Sequence, residues 1–127
     1  MFESDYAKIE YIAEDNVIFH TWKKECHFED YRKPVEYSLE MLREHKGSAF
    51  IVDASNGFED VQEDVEWGFS YFLPEMKKTG CKIWIFILQE ISEIDGEIDL
   101  WSEEIQKYFT VLRVNSYSEA IEALKRQ

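Results

Sequence analysis

Basic residues, cysteines, prolines and unbroken apolar runs are all scarce in this chain of 127 residues. Its 14 lysines and arginines stand against 27 aspartates and glutamates, a formal net charge of −13. A surface of that sign repels phosphate backbones and anionic head groups, which disfavours nucleic acid and points to a basic protein surface as partner. The acids are scattered rather than blocked, and much of this charge simply keeps a surface solvated. With two cysteines, Cys26 and Cys81, there is no disulfide framework to expect. The N-terminal MFESDYAK lacks the basic and apolar regions of a secretion signal, so reduced thiols and a cytoplasmic location are expected. No segment approaches the roughly 20 apolar residues of a membrane span. Two prolines and five glycines leave no linker, repeat or low-complexity stretch, and the chain reads as a single domain, 1–127.

Apolar residues, by contrast, make up 45% of the chain, and 16% of all residues are aromatic. At this length roughly two-thirds of the unfolded surface can be buried, enough for one core without a staple. The aromatic share is high for such a core and needs explaining.

Lys8–Ala13 and Val17–Lys23 are β-branched and aromatic runs separated by Glu14-Asp15-Asn16, a hairpin in which Asn16 can take positive φ. Alternation puts Ile18, His20 and Trp22 on one face of the second strand and Val17, Phe19 and Thr21 on the other. Phe28, Tyr31, Val35, Leu39 and Leu42 then step at helical spacing toward a C-terminus marked by Arg43, His45, Lys46 and Gly47. Pro34 conflicts with that stripe, so the helix is expected to kink there or to start late.

Ala49–Val52 and Lys82–Leu88 are nearly continuous apolar runs, the mark of parallel strands covered on both faces. Between them Phe58, Val61, Val65, Phe69, Phe72 and Met76 predict a helix that opens with Glu59 and Asp60, is bent or divided at Pro74, and ends at Gly80. An acidic loop at Gln89–Gly96, a helix over Ile98–Tyr108 and a strand at Thr110–Val114 follow. Ser116 and Glu119 form a capping box for a last helix burying Ala120, Ile121 and Leu124. The order ββαβαβαβα predicts an α/β fold: a mixed, mostly parallel sheet opened by a β-hairpin, with helices on both faces.

This order, with NVIFHTWK in the hairpin, FEDYR at the first helix, FIVDAS in the third strand, WGFSYFLPEMKKTG before the fourth and SYSEAIEALK at the end, resembles the SpoIIAA-like branch of the STAS (anti-sigma-factor-antagonist) superfamily. The resemblance spans nearly the whole chain but rests on apolar and turn patterns. It implies a non-catalytic, regulatory domain acting through a protein partner. In STAS proteins a serine or threonine after the third strand is phosphorylated, usually in an Asp-Ser context; here Asp53 is followed by Ala54, and Ser55 is the nearest hydroxyl. Ser55 is thus the candidate phosphoacceptor, its plainer role being that of a turn hydroxyl. The resemblance also implies a likeness to CRAL-TRIO lipid carriers, and with it an apolar ligand or peripheral membrane association.

Two sites are therefore expected around the junction SAFIVDASNG (Ser48–Gly57), because ligands of open α/β sheets bind at the carboxyl ends of strands. The first is an interaction edge of Asp53, Ser55, Asn56, Glu59 and Asp60. The second is an apolar pocket built from the surplus aromatics Phe58, Trp67, Phe69, Tyr71, Phe72, Leu73 and Trp101, which could equally pack as core. Exposed aromatics would favour a homodimer over a monomer. No cofactor or metal is expected: His20, His27, His45, Cys26 and Cys81 show no paired ligand spacing, and a calcium-like register over Ile91–Ser102 has the wrong residues at both ends. Asp53 with Ser55, or with His20, is the nearest thing to an acid/base set. No nucleophile elbow, P-loop or dinucleotide fingerprint supports catalysis.

Overall fold

The computed structural model describes residues 1–89 and 92–127. Glu90 and Ile91, in the expected acidic loop, lie outside the described residues, and so does the first position of the calcium-like register. Six strands, β1 (Phe2–Glu3), β2 (Ala7–Ile12), β3 (Val17–Trp22), β4 (Ala49–Asp53), β5 (Ile83–Ile87) and β6 (Thr110–Val114), lie in sequence order across one sheet. The pairings β1–β2 and β2–β3 are antiparallel, and β3–β4, β4–β5 and β5–β6 are parallel. The α/β class and the mixed sheet opened by a hairpin are as the sequence predicts. The two-residue β1 is an addition, too short to carry any periodicity.

Helix α1 (Glu29–Glu44) joins β3 to β4. A composite helix, α2 (Gln62–Trp67), a π segment (Gly68–Phe72) and α3 (Leu73–Lys77), joins β4 to β5. Helix α4 (Asp95–Ile105) joins β5 to β6, and α5 (Tyr117–Lys125) follows β6. Parallel crossovers are right-handed, and three that all step to the next strand in the same direction must place their helices on the same face. The pleat matches: Ile18, Trp22, Phe50, Val52, Trp84 and Phe86 belong to the core under α1–α4, while Val17, Ile51, Ile85 and Ile87 pack with Ala120 of α5 on the other face. Ile51 and Ile85 are fully buried, each worth about 1.5–3 kcal/mol relative to exposure.

The turn chemistry follows the sequence. Asn16 closes the hairpin at φ 54°, and Gly47 and Gly80 take φ 85° and 83° just past α1 and α3. Ser116 caps α5 by accepting the Glu119 N–H at 3.1 Å, while the Glu119 carboxylate accepts the Asn115 N–H at 2.7 Å.

The helices depart from expectation at their starts. Pro34 neither delays nor ends α1; it lies buried inside the helix. Its missing donor would have served the carbonyl of Asp30, an exposed residue whose acceptor solvent can take. Phe28 is not part of the α1 stripe but precedes the helix at φ 54°, exposed. Phe58, Glu59 and Asp60 likewise precede the second crossover helix, whose first-turn acids are Glu63 and Asp64. The second crossover helix is divided beside Pro74, with α3 starting one residue before it. The wider i→i−5 turn directly ahead of it, closed by the Leu73 N–H on the Gly68 carbonyl, absorbs the residue that cannot donate. Helix α4 begins three residues before the expected Ile98.

Candidate functional site

At the carboxyl ends of the parallel strands the sheet and the crossover segments do not close completely. A cavity of about 70 Å³ remains, floored by His20, Trp22, Phe50, Val52, Trp84 and Phe86 of the sheet. Tyr31 and Val35 of α1 form one wall, and Ile98 and Trp101 of α4 another. The roof comes from the segment after β4, where Gly57 and Phe58 cross the opening with Ile94. Only glycine fits at position 57 without a shift, since a methyl there would come within 2.7 Å of Ile94 Cδ1 and 2.9 Å of the Ala54 carbonyl.

Aromatic rings dominate one end. Trp22 and Tyr31 stack at 5.2 Å with their planes 4° apart, and Phe58 stands edge-on to both, at 5.4 Å and 6.4 Å. Next to them lie two carboxylates, Asp60 and Glu97, both in the cavity wall. One oxygen of Glu97 accepts the Trp101 indole N–H at 2.9 Å and the Asp60 backbone N–H at 3.2 Å, which locks the roof segment to α4. Burial pushes the Asp60 carboxyl up to about 7; the neighbouring Tyr31 hydroxyl opposes this, and the charges of Glu97 and Asp64 reinforce it.

The floor carries unsatisfied polar atoms. His20 is 2% exposed; its Nδ1 meets the Ser38 hydroxyl at 2.7 Å, while its Nε2 has no partner. Burial drives the His20 imidazole down to about 3, so it is neutral. The indole N–H of Trp84 is also buried and unpartnered. Buried polar groups are nearly always hydrogen-bonded, and each one left alone costs about 1–3 kcal/mol. Both residues line the same cavity.

The residues singled out in the sequence divide. Phe58, Phe72 and Trp101 line the cavity, whereas Trp67, Phe69, Tyr71 and Leu73 do not. Leu73 is fully buried, Trp67 lies under the Arg32 guanidinium at 5.5 Å, Phe69 abuts Trp101 edge-on at 4.9 Å, and the Tyr71 hydroxyl donates to Glu36 at 3.3 Å. Asp53, Ser55 and Asn56 form a turn at the end of β4, with the Asp53 carboxylate accepting the Ser55 N–H at 3.0 Å and both Ser55 and Asn56 exposed. Glu59 is exposed as well, while Asp60 is partly buried and lines the cavity. His20 and Asp53 cannot act together: His20 is level with Val52, and Asp53, one residue on, points to the opposite face.

Trp22, Tyr31, Trp84 and Glu97 were not singled out by sequence. The available signals were His20 and Trp22 on one strand face, and Glu97 one helical turn before Trp101. Among the described residues, no group of three or more His, Cys, Asp or Glu is placed to hold a metal ion. No described helix is long and apolar enough to cross a membrane. Burial drives the thiols of Cys26 and Cys81 up to about 12, the thiol form that does not act as a nucleophile. No protein-family model, curated protein or solved structure significantly matches the chain.

Proposed function

We propose that the protein is a cytoplasmic, non-catalytic binding domain of the SpoIIAA-like type, and that it holds a small molecule in the cavity at the carboxyl ends of β3–β5. The observation that carries this reading is the pair of unpartnered buried atoms, His20 Nε2 and Trp84 Nε1, in the wall of a single aromatic cavity. A domain that needed these aromatics only as packing would gain stability from closing the space or replacing the polar atoms. The ligand is smaller than a lipid. A cavity of about 150 Å³ takes up benzene, and this one is about 70 Å³ with Phe58 and Ile94 in place.

A protein partner at the Asp53–Asn56 turn has less behind it, since Asp53 already caps the turn internally and no buried polar group there lacks a partner. Nor does catalysis find a nucleophile at the cavity, because Ser38, the hydroxyl paired with His20, is completely buried.

Native mass spectrometry of freshly purified protein, compared with the denatured sample, tests the reading. An added small mass lost on denaturation is expected. Its absence from wild type, together with no thermal stabilisation by a library of small polar molecules, would refute it. Ala54→Leu, which fills the cavity from its wall, should abolish the added mass while leaving the sheet intact.

A further inference from the structure

The cavity is chemically lopsided. Trp22, Tyr31, Phe58 and Trp101 surround the end where Asp60 and Glu97 converge, and the rest of the wall is apolar apart from His20 and Trp84. Within this wall no lysine or arginine balances the two carboxylates. The Arg32 guanidinium is committed elsewhere, with its Nε on the Asp64 carboxylate at 2.9 Å and its face over Trp67. His27 is the one cationic group that acts on the Asp60 charge, and only weakly; it lies outside the cavity wall with its Nε2 engaged by Glu25 at 2.8 Å. Partly buried carboxylates without a counter-charge are costly, and aromatic faces attract a cation within about 6 Å of the ring centre. Rings and carboxylates together describe a box for positive charge.

Resting on the small-molecule reading above, we propose that the ligand is a small organic ammonium ion, its charged head among Trp22, Tyr31, Phe58 and Trp101 beside Asp60 and Glu97, with a polar group reaching His20 or Trp84. The unpartnered His20 Nε2 is independent of the acidic pair and argues against a plain hydrocarbon. A metal ion fits poorly, because two carboxylates and no clustered third ligand fall short of its coordination needs. A small alkylammonium fits better, since its methyl end is satisfied by ring faces and its charged end by the carboxylates, and a head the size of methylammonium suits about 70 Å³. The net charge of −13 raises the local concentration of any cation at the surface. Burial of the Asp60 carboxyl, which lifts it to about 7, is the condition that a bound cation would relieve.

The test titrates the intact protein with methylammonium and, in parallel, with methanol, an uncharged molecule of similar shape, following the indole N–H signals of Trp84 and Trp101 by NMR. Saturable shifts with methylammonium binding at least about tenfold tighter are expected. Asp60→Asn and Glu97→Gln, which keep shape and hydrogen-bonding capacity, should each erase the preference for the cation over methanol. Equal binding of the two probes overturns the ammonium assignment and leaves the small-molecule reading standing. No saturable shift with either probe overturns the ammonium assignment; the small-molecule reading falls only if the added mass and the thermal stabilisation are absent as well. A preference for the cation that survives in both variants places the cation outside the cavity and overturns the assignment.

Discussion

Gly68 lies directly against the Trp101 ring: a methyl on its Cα would fall 2.3 Å from Cη2 of the indole. The missing side chain lets α4 settle onto the π segment and seats Trp101 with its N–H on Glu97. The Trp101–Glu97 contact at the cavity's carboxylate end therefore depends on one glycine. Gly68→Ala is expected to destabilise the fold by about 1–3 kcal/mol, the usual cost of overpacking, although alanine favours helix. Urea unfolding measures the loss, and a shift in tryptophan emission should accompany it as Trp101 is displaced.

Asp60 gives stability an unusual pH dependence. Its carboxyl is raised from 3.8 to about 7 in the folded protein, with burial as the main cause. The native state therefore binds the extra proton, and this contribution is fully present below about pH 4 and lost as pH rises through about 7. Asp60→Asn lacks that loss. Relative to wild type, the variant should gain on the order of 2–4 kcal/mol between pH 4 and pH 8. Denaturant melts at the two pH values check it, and a constant difference would mean that Asp60 ionises normally.

His20 acts in the opposite direction. It is neutral when folded, lowered by burial from 6.5 to about 3, so below about pH 6.5 the unfolded chain takes up a proton that the native state refuses. Stability from this group falls as pH falls, by about 1.4 kcal/mol per unit at the steepest. Between about pH 4 and 6.5 the two groups offset each other. His20→Gln should remove the acid loss and expose the Asp60 slope; a wild-type-like profile in this variant would place the imidazole in contact with solvent.

The architecture was legible because its signals are local and repeated. Continuous apolar runs in β4 and β5, alternation in β3, and the caps at Asn16, Gly47, Gly80 and Ser116 each point to one structure. The helix starts were less legible. Phe28 and Phe58 lie at helical spacing from genuine core residues, yet each precedes its helix, because a stripe of apolar residues does not say where the hydrogen-bonded turns begin. The cavity was legible only in part. Phe58, Phe72 and Trp101 were noticeable as surplus aromatics, but Asp60 and Glu97 lie on segments 37 residues apart that meet only when β4 and β5 are adjacent. His20 was judged by its own strand, and nothing in the sequence pairs it with Ser38 on α1.

The start of α1 offers a final check on how this end of the molecule is held. Phe28 adopts φ 54° and ψ −125°, a region that suits glycine and costs other residues about 1–3 kcal/mol. Its side chain is 49% exposed and gains little from burial. What fixes the conformation is Asp64, completely buried, whose two carboxylate oxygens accept the Phe28 N–H and the Arg32 Nε–H, each at 2.9 Å. The carboxylate thus ties the entry of α1 to α2 and holds Phe28 in its strained state. Phe28→Gly should stabilise the protein by about 1 kcal/mol, the relieved strain exceeding the added freedom of the unfolded chain. Asp64→Ala should cost about 2–4 kcal/mol, since it leaves a buried N–H and a half-buried guanidinium without their acceptor. In the Asp64→Ala background Phe28 is free to relax, and the gain from glycine should vanish. A double-mutant cycle that finds the two effects additive would show that the strain at Phe28 is held by something other than Asp64.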